Sequence, residues 1–337
     1  MNRRAFLSVA AASALVSASA RAQSQPLARF RAAAAYSAER GGASFLVVRN
    51  GIVLAAEYPG GDANARWPIG AGAKSFAAIL AGSLAADGLL SLDEMAAMTF
   101  GDWALHPIKS AISVRALLNG TSGIAFGGPP GDINAALALE PSAGLGERFI
   151  DDPAPYILLV EIARRKLFAA GRMGDVAQYL SGRTLSPIGC TSIGWARAAD
   201  GSPLLYDGAS VSARGWAQAG ELIRREGVWR ATQLLNDETA REALRGTFAE
   251  PRAGIGFWLA AASRNRGDPP GAESDLWRSA SPAPLDLAMA CGAGGQRLYI
   301  SPTQRLIVVR QARSSSGQWS DSAFLSLVLR DLERQPA

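Results

Sequence analysis

Residues 67–76 read WPIGAGAKSF and lead into an alanine- and leucine-rich run that stops at Gly88. Apolar side chains recur in this run at the three- and four-residue spacing of one helix face, at Phe76, Ile79, Leu80 and Leu84. This pattern predicts a helix over residues 74–87 with the glycine as its C-terminal cap. Lys74 follows Ala71 by three residues, so both side chains should lie on one face, one turn apart.

Strand-like segments lie on both sides of this helix, near the two ends of the chain. Residues 44–58 contain two β-rich runs around Asn50-Gly51, which is the strongest short-range signal for a hairpin. Near the other end, apolar runs bounded by glycine and proline predict strands over residues 256–259, 296–300 and 306–310. Residues 321–330 close the chain as an amphipathic helix.

Between these strands the sequence favours helices separated by glycine- and proline-rich loops. The pattern therefore predicts an α+β fold, with one antiparallel sheet built from N- and C-terminal segments and flanked by helices. We expect a sheet lobe from about residues 23–70 and 250–337, and an inserted all-helical lobe over about residues 75–245. A cleft between two such lobes is the usual place for a ligand.

Composition excludes several kinds of site. The chain has 337 residues, of which 48% are hydrophobic and 19% charged, with one histidine and two cysteines. So few potential ligands cannot form a structural zinc site. Neither of the common glycine-rich phosphate-binding motifs occurs at a strand–helix junction. We therefore expect no metal and no cofactor.

The first 22 residues explain most of the formal net charge of +5. They combine a basic start at Arg3-Arg4, an alanine-rich apolar stretch and small residues around a cleavage site near Ala22. This pattern is typical of an export signal of the twin-arginine type. Its removal lowers the net charge to +2. The mature protein over residues 23–337 should thus be periplasmic or secreted, with no stable membrane span and no nucleic-acid partner.

Several segments together resemble the serine β-lactamase-like superfamily. These are residues 67–76, the segment ISVRALLNGTSG at 112–123, the segment at 210–222 and CGAGGQRLYISP at 291–302. The superfamily includes penicillin-binding proteins, class C β-lactamases and related esterases, and the branch most similar to this chain contains the 6-aminohexanoate-dimer hydrolases. The resemblance implies a β-lactamase/transpeptidase-like fold and an amide, ester or peptidoglycan-like ligand.

The catalytic residues that this resemblance implies are absent. In the superfamily a serine precedes the lysine by three residues and attacks the substrate, but this chain has Ala71 at that position and Lys74 at the base position. Alignment on Phe149 and Tyr156 places Asp151 at the catalytic tyrosine and Pro153 at the asparagine. The third motif falls at residues 292–294, which read GAG and carry no basic or hydroxyl side chain. Loss of a nucleophile typically costs about a millionfold in turnover.

We expect Asp151 to form an ion pair with Lys74, because the alignment places both in the cleft and a carboxylate favours a charged amine. The lysine would then be an anchor for a ligand carboxylate rather than a base. The full set of expected ligand-binding residues is Lys74, Asp151, Gly294, Gly295, Gln296 and Trp258, with Trp277 as a further candidate for the cleft wall.

Other residues are weaker candidates for a replacement nucleophile. Ser75 should point away from the cleft, since neighbouring helical residues lie about 100° apart. Ser122 in a Thr-Ser-Gly turn is expected to bond the backbone, and His106 is expected to be a loop residue. Cys291 leaves two possibilities open, a thiol in the cleft or a disulfide with Cys190.

Two functions therefore follow from the sequence. The first is an exported, non-hydrolytic, ligand-binding protein on a serine hydrolase fold. The alternative is an amide or ester hydrolase of the 6-aminohexanoate-dimer hydrolase type, which would use a non-standard nucleophile or only Lys74 and Asp151.

Overall fold

The structure is a computed structural model that describes residues 29–172, 175–260, 274–277, 281–313 and 319–333. The predicted export signal over residues 1–22 lies outside the described residues. Within the described residues, no helix combines the length and apolar character needed to cross a membrane.

Most of the strands lie near the two ends of the chain, and most of the helices lie between them. The helices are α1 (Arg31–Glu39), α2 (Ser75–Ala86), α3 (Val114–Leu118), α4 (Ile133–Ala138), α5 (Ala154–Ala169), α6 (Val176–Leu180), α7 (Ala213–Arg224), α8 (Asp237–Glu242) and α9 (Asp321–Glu333). The strands are β1 (Gly42–Arg49), β2 (Ile52–Glu57), β3 (Trp67–Pro68), β4 (Ile193–Trp195), β5 (Ala209–Val211), β6 (Val228–Trp229), β7 (Thr232–Gln233), β8 (Trp258–Leu259), β9 (Ala288–Gly292), β10 (Gln296–Ser301) and β11 (Leu306–Ala312).

The main sheet is antiparallel and takes its strands from both ends of the chain, as the sequence predicted. Its six strands run in the order β2-β1-β11-β10-β9-β8. The hairpin between β1 and β2 turns at Asn50 and Gly51, whose φ angles of 54° and 77° are those of the predicted two-residue turn. The first strand then pairs with the last one, with Leu46 opposite Val309.

Each face of the sheet buries its own hydrophobic core. On one face, Leu46, Leu298 and Val309 pack in a cluster that includes the buried residues of α2 and α7. On the other face, Val47 and Val308 pack with residues of the terminal helices, among them Phe30 and Phe324. The alternation of side chains along each strand thus produces three layers, helix, sheet and helix.

The inserted lobe is not purely helical. The short strands β4 and β5 join β3 in a separate three-stranded sheet, and β6 pairs with β7. Strands of two or three residues are too short to give a periodic signal, which explains why the sequence predicted only helices here. Helix α7 also packs directly on the main sheet. The two elements are so close at Gly220 that an added Cβ atom would lie 2.9 Å from the Leu298 side chain.

A buried ion pair joins the last helix to the sheet. Arg297 Nε donates to Asp321 Oδ1 at 2.7 Å, and the same carboxylate accepts from Trp319 Nε1 at 2.9 Å and from the Tyr299 hydroxyl. Burial opposes ionisation of Asp321, but the guanidinium and the other donors hold the pKa of this carboxyl below its usual value. The charged pair therefore ties the start of α9 to β10.

We expect Asp321→Asn to lower the free energy of unfolding by about 3–5 kcal/mol, because it leaves the buried Arg297 without its counter-charge. Urea unfolding at pH 7 measures the change. Since the native pKa of Asp321 is depressed, its contribution is present at neutral pH and is lost as the pH falls through that pKa. The control is Asp237→Asn, which removes an exposed ion pair with Arg241 and should leave the midpoint almost unchanged. Equal effects of the two substitutions would contradict the prediction.

Candidate functional site

The predicted helix start forms the floor of a pocket that residues 117–156 and 253–291 also help to line. A 3₁₀ turn over Gly70–Lys74 follows β3 and leads into α2. Residues three apart eclipse each other in such a turn, and Ala71 and Lys74 both line the pocket. The other lining residues are Leu117, Leu118, Gly120, Phe149, Ile150, Asp151, Asp152, Pro155, Tyr156, Ala253, Gly254, Gly256, Phe257, Trp258 and Cys291.

Two glycines allow the backbone to approach this turn closely on both sides. A Cβ atom at Gly256, whose φ is +74°, would lie 2.2 Å from the Lys74 carbonyl oxygen. A Cβ atom at Gly292 would lie 2.0 Å from the Ile69 carbonyl oxygen. Both distances are far below van der Waals contact, so only glycine fits at either position. The turn is thereby held between the segment before β8 and the end of β9.

The expected ion pair is confirmed at the centre of the pocket. Lys74 Nζ donates to Asp151 Oδ1 at 2.6 Å, and the two side chains are only 15% and 18% exposed. The next residue, Asp152, turns its carboxylate to the chain instead and accepts hydrogen bonds from the amides of Ala154 and Gly127. The position aligned with the catalytic tyrosine therefore supplies a counter-charge to the lysine.

Aromatic side chains form one wall of the pocket. The Tyr156 ring lies 5.4 Å from Lys74 Nζ. Burial, together with the nearby Asp151 carboxylate, raises the pKa of Tyr156 well above its usual value. Its phenol therefore keeps its proton and is not a base. Trp258 packs edge-on against Phe149 with ring centroids 5.7 Å apart, which places this predicted wall residue in the pocket.

No serine or threonine occurs among the described residues that line the pocket. The one thiol, Cys291, has its pKa raised to about 11 by burial, which outweighs the opposing effect of Arg297. Such a thiol stays protonated at neutral pH and is a poor nucleophile. Cys190 is buried and free as well, so the disulfide that the sequence left open is absent. The pocket thus presents a methyl group where the superfamily has a hydroxyl.

The weaker nucleophile candidates are occupied elsewhere, as expected from the sequence. Ser75 is buried; its hydroxyl donates to the Gly72 carbonyl and accepts from Trp216. The hydroxyl of Ser122 accepts from a backbone amide two residues on. His106 accepts backbone amides through Nδ1, and its Nε2 lies 2.8 Å from Glu140. None of these three side chains lines the pocket.

Several predicted ligand-binding residues do not line this pocket. Gln296 is buried with its amide bonded to the backbone of Ala312 at 2.9 and 3.1 Å. The carbonyl oxygens of Gly294 and Gly295 accept from Arg310 at 2.7 and 2.9 Å. The strand pairing fixes these residues on the sheet. Their hydrogen bonds there stabilise the β9–β10 connection. Trp277 lies behind Trp258, at a ring distance of 6.2 Å, and Pro153 caps α5.

The structure also adds a residue that sequence reasoning missed. The amide of Ile69 donates to the Ala209 carbonyl at 3.0 Å, which brings the segment before β5 next to the turn. Desolvation raises the pKa of Asp207 in this segment, and the charge of Lys74 opposes the shift. Asp207 is therefore near enough for the charge of Lys74 to act on its carboxyl. Only the tertiary pairing of β3 with β5 brings it there, so no local pattern could have predicted it.

The pocket is small. Its volume is ≈ 30 Å³, which is room for about two water molecules. Because Asp151 pairs with Lys74 at 2.6 Å, the charge of the lysine is already balanced. This arrangement makes the predicted role of Lys74 as an anchor for a ligand carboxylate unfavourable.

Metal binding has no support from the geometry. Over residues 29–333, leaving out the gaps given above, His, Cys, Asp and Glu nowhere gather in a group of three that could hold an ion.

Each lysine of the chain forms an ion pair with a carboxylate and is mostly shielded from solvent. Lys74, Lys109 and Lys166 pair with Asp151, Glu140 and Glu94 at 2.6, 3.4 and 2.7 Å, and their side chains are 15%, 6% and 20% exposed. The remaining 31 of the 34 basic residues are arginines.

Comparison with known proteins agrees with this geometry. The Beta-lactamase family profile matches residues 27–324, which is most of the chain. The chain belongs to the beta-lactamase family. No match was found among curated proteins.

Solved structures of this family share the fold at low identity. A family VIII carboxylesterase superposes with a TM-score of 0.68 at 16% identity, covering 92% of this chain and 97% of the other. A penicillin-binding protein homolog from Caulobacter crescentus gives 0.66 at 16% identity, covering 90% and 97%. A candidate 6-aminohexanoate-dimer hydrolase from Bacillus anthracis gives 0.65 at 17% identity, covering 89% and 82%. At such identities the likeness shows the fold alone.

We expect Gly256→Ala to destabilise this beta-lactamase-family protein by at least about 3 kcal/mol, through backbone strain and the clash with the Lys74 carbonyl. The matched control is Gly88→Ala. Gly88 has a similar φ of +71° but open space around its Cβ position, so the substitution should cost only the backbone term, about 1–2 kcal/mol. Urea unfolding of both variants separates the two contributions. Equal losses would mean that the close approach at Gly256 is unimportant.

Proposed function

We propose that this chain is a non-hydrolytic, ligand-binding member of the beta-lactamase family. The observation that carries the proposal is the pocket itself, where Ala71 replaces the nucleophile and Lys74 is engaged by Asp151 at 2.6 Å. A methyl group cannot form an acyl-enzyme, and an ammonium in an ion pair is not a free base. The chain therefore lacks a nucleophile, and its lysine is not free to act as the base on which covalent catalysis depends.

The ligand is an amide, ester or peptidoglycan-like small molecule that enters the pocket only in part. At ≈ 30 Å³ the pocket admits one small group, and the rest of the molecule must lie at its mouth. The aromatic wall of Phe149 and Trp258 offers an apolar surface for that portion.

One observation favours a second candidate, a hydrolase that uses water directly. The space beside Ala71 has room for a water molecule, and the Asp151 carboxylate lines the same pocket. In this alternative, Asp151 takes the proton of that water. The Asp151 carboxylate is already engaged by Lys74 at 2.6 Å, which is why we favour the binding function.

Labelling with a fluorophosphonate and a fluorescent penicillin tests the proposal. We expect no covalent label on the unmodified protein and none on Ala71→Ser, because Asp151 still engages the lysine. The double variant Ala71→Ser/Asp151→Tyr restores both missing groups and should be labelled. The control Asp151→Tyr alone should not be labelled, because it still lacks the serine. Fluorescent label on the unmodified protein would overturn the proposal.

Turnover of a chromogenic ester, p-nitrophenyl acetate, distinguishes the binding function from the water-based hydrolase. We expect the unmodified protein and Asp151→Asn to give the same background rate. A rate at least tenfold above background that Asp151→Asn abolishes would establish the water-based hydrolase instead.

We further propose that the protein is exported, to the periplasm or outside the cell. The support is the pattern of residues 1–22, with its arginine pair, apolar stretch and small-residue cleavage site. A twin-arginine signal would carry the domain across the membrane already folded.

In a bacterial host with a twin-arginine pathway, we expect the full chain to be recovered from the periplasm with an intact mass that begins at Gln23. Replacing both Arg3 and Arg4 by lysine should retain it in the cytoplasm at full length. The matched control Arg21→Lys keeps the pair and should be exported normally. Cytoplasmic recovery of the unmodified chain with residues 1–22 attached would contradict export.

A further inference from the structure

A second and larger cavity lies along α5 in the helical lobe. Its volume is ≈ 160 Å³, compared with ≈ 30 Å³ for the pocket at Lys74. Apolar side chains from three separate segments line it: Ile133 from α4, Ile157 and Val160 from α5, and Pro203 and Leu204 from the connection between β4 and β5. The space is large enough for a small organic molecule and lies apart from the residues of the first pocket.

One wall of this cavity is a closed, hydrogen-bonded turn. The amide of Ala198 donates to the Ser202 carbonyl at 2.9 Å, and the amide of Gly201 donates back to the Ala198 carbonyl at 3.0 Å. The Asp200 carboxylate fixes the tip by accepting from the Ser202 amide at 2.9 Å. Because these bonds are made within the turn, the wall exists before any ligand arrives. Preformed walls of this kind are typical of small-molecule sites.

The polar groups around the cavity restrict what can bind. Both oxygens of Glu161 accept from Arg164, at 2.7 and 2.8 Å, so this carboxylate is already satisfied. Asp200 makes no ion pair within 4 Å with any residue that the structure describes, and one of its oxygens stays available as an acceptor. The Ser202 hydroxyl likewise bonds none of the described residues. A ligand that donates a hydrogen bond fits here, whereas a carboxylate would face Asp200 and also Asp132, which lines the cavity and accepts from the Ala135 amide.

We propose that this cavity binds a small aromatic or short aliphatic alcohol, with its hydrocarbon part between α4 and α5 and its hydroxyl donating to Asp200. A volume of about 150 Å³ is enough to hold benzene, and this cavity has nearly that volume, ≈ 160 Å³, with exposed residues and the Asp200 acceptor at its rim. The proposal goes beyond the function proposed for the first pocket and does not depend on it, since it involves neither Ala71 nor Lys74.

Phenol is the probe, and methyl NMR of the full-length protein gives the location of binding. Phenol should cause saturable shifts of the methyl signals of Ile133, Ile157, Val160 and Leu204. Benzoate, of nearly the same shape but negatively charged, should bind at least tenfold more weakly. Asp200→Asn should reduce this discrimination between the two probes by removing the charge while keeping an acceptor.

A variant that fills the cavity provides the second test. Ala199 lines the cavity and is exposed, so Ala199→Trp can occupy the space without disturbing the core. We expect at least tenfold weaker phenol binding, with an unchanged circular dichroism spectrum. The control Ala104→Trp changes an equally exposed alanine that does not line the cavity and should leave binding unaltered.

Three outcomes would overturn the proposal. These are the absence of saturable shifts at the four methyl-bearing residues, equal phenol binding by Ala199→Trp and the unmodified protein, or shifts confined to the first pocket around Trp258. Labelling of Ala71 variants is a separate readout, so failure here leaves the function proposed for that pocket standing, and the reverse also holds.

Discussion

The whole site depends on the backbone turn over Gly70–Lys74, which is held between two other backbone segments with no side chain in between. Gly256 approaches it from one side and Gly292 from the other, at distances that would leave no room for a Cβ atom. This close approach connects β3, the first helix of the inserted lobe and the far edge of the sheet. Because the turn cannot shift relative to its neighbours, Ala71 and Lys74 have a fixed orientation in the pocket whatever their chemistry.

This frame fixes the shape of the pocket independently of the side chains at positions 71 and 151. The methyl group of Ala71 needs less space than a hydroxymethyl group, and Asp151 pairs with the lysine that remains. A buried ammonium without a counter-charge would be costly. The exchange of a tyrosine for a carboxylate is therefore compatible with keeping the lysine, and the two substitutions form a consistent set. Lys74 is one half of an ion pair in this structure.

The sequence predicted those elements whose structure depends mainly on residues that are neighbours in the chain. The hairpin at Asn50-Gly51 and the helix that ends at Gly88 follow from backbone preferences and side-chain periodicity, and family resemblance placed Asp151 beside Lys74. Gly294, Gly295 and Gln296 do not line the pocket, because resemblance in sequence does not say which way a connection between strands turns. Asp207 and the cavity along α5 depend on contacts between distant segments, and no periodic pattern encodes these.

The pairing of every lysine with a carboxylate has a chemical consequence for the folded protein. Each of the three side-chain amines is held by a carboxylate and largely shielded from solvent, while arginine provides the charge elsewhere. Reagents that acylate amines will therefore find few targets on the native surface apart from the α-amino group. Ion pairing and partial burial slow their reaction with the side chains, so a rise in its rate reports local opening at three places, one of which is the floor of the pocket.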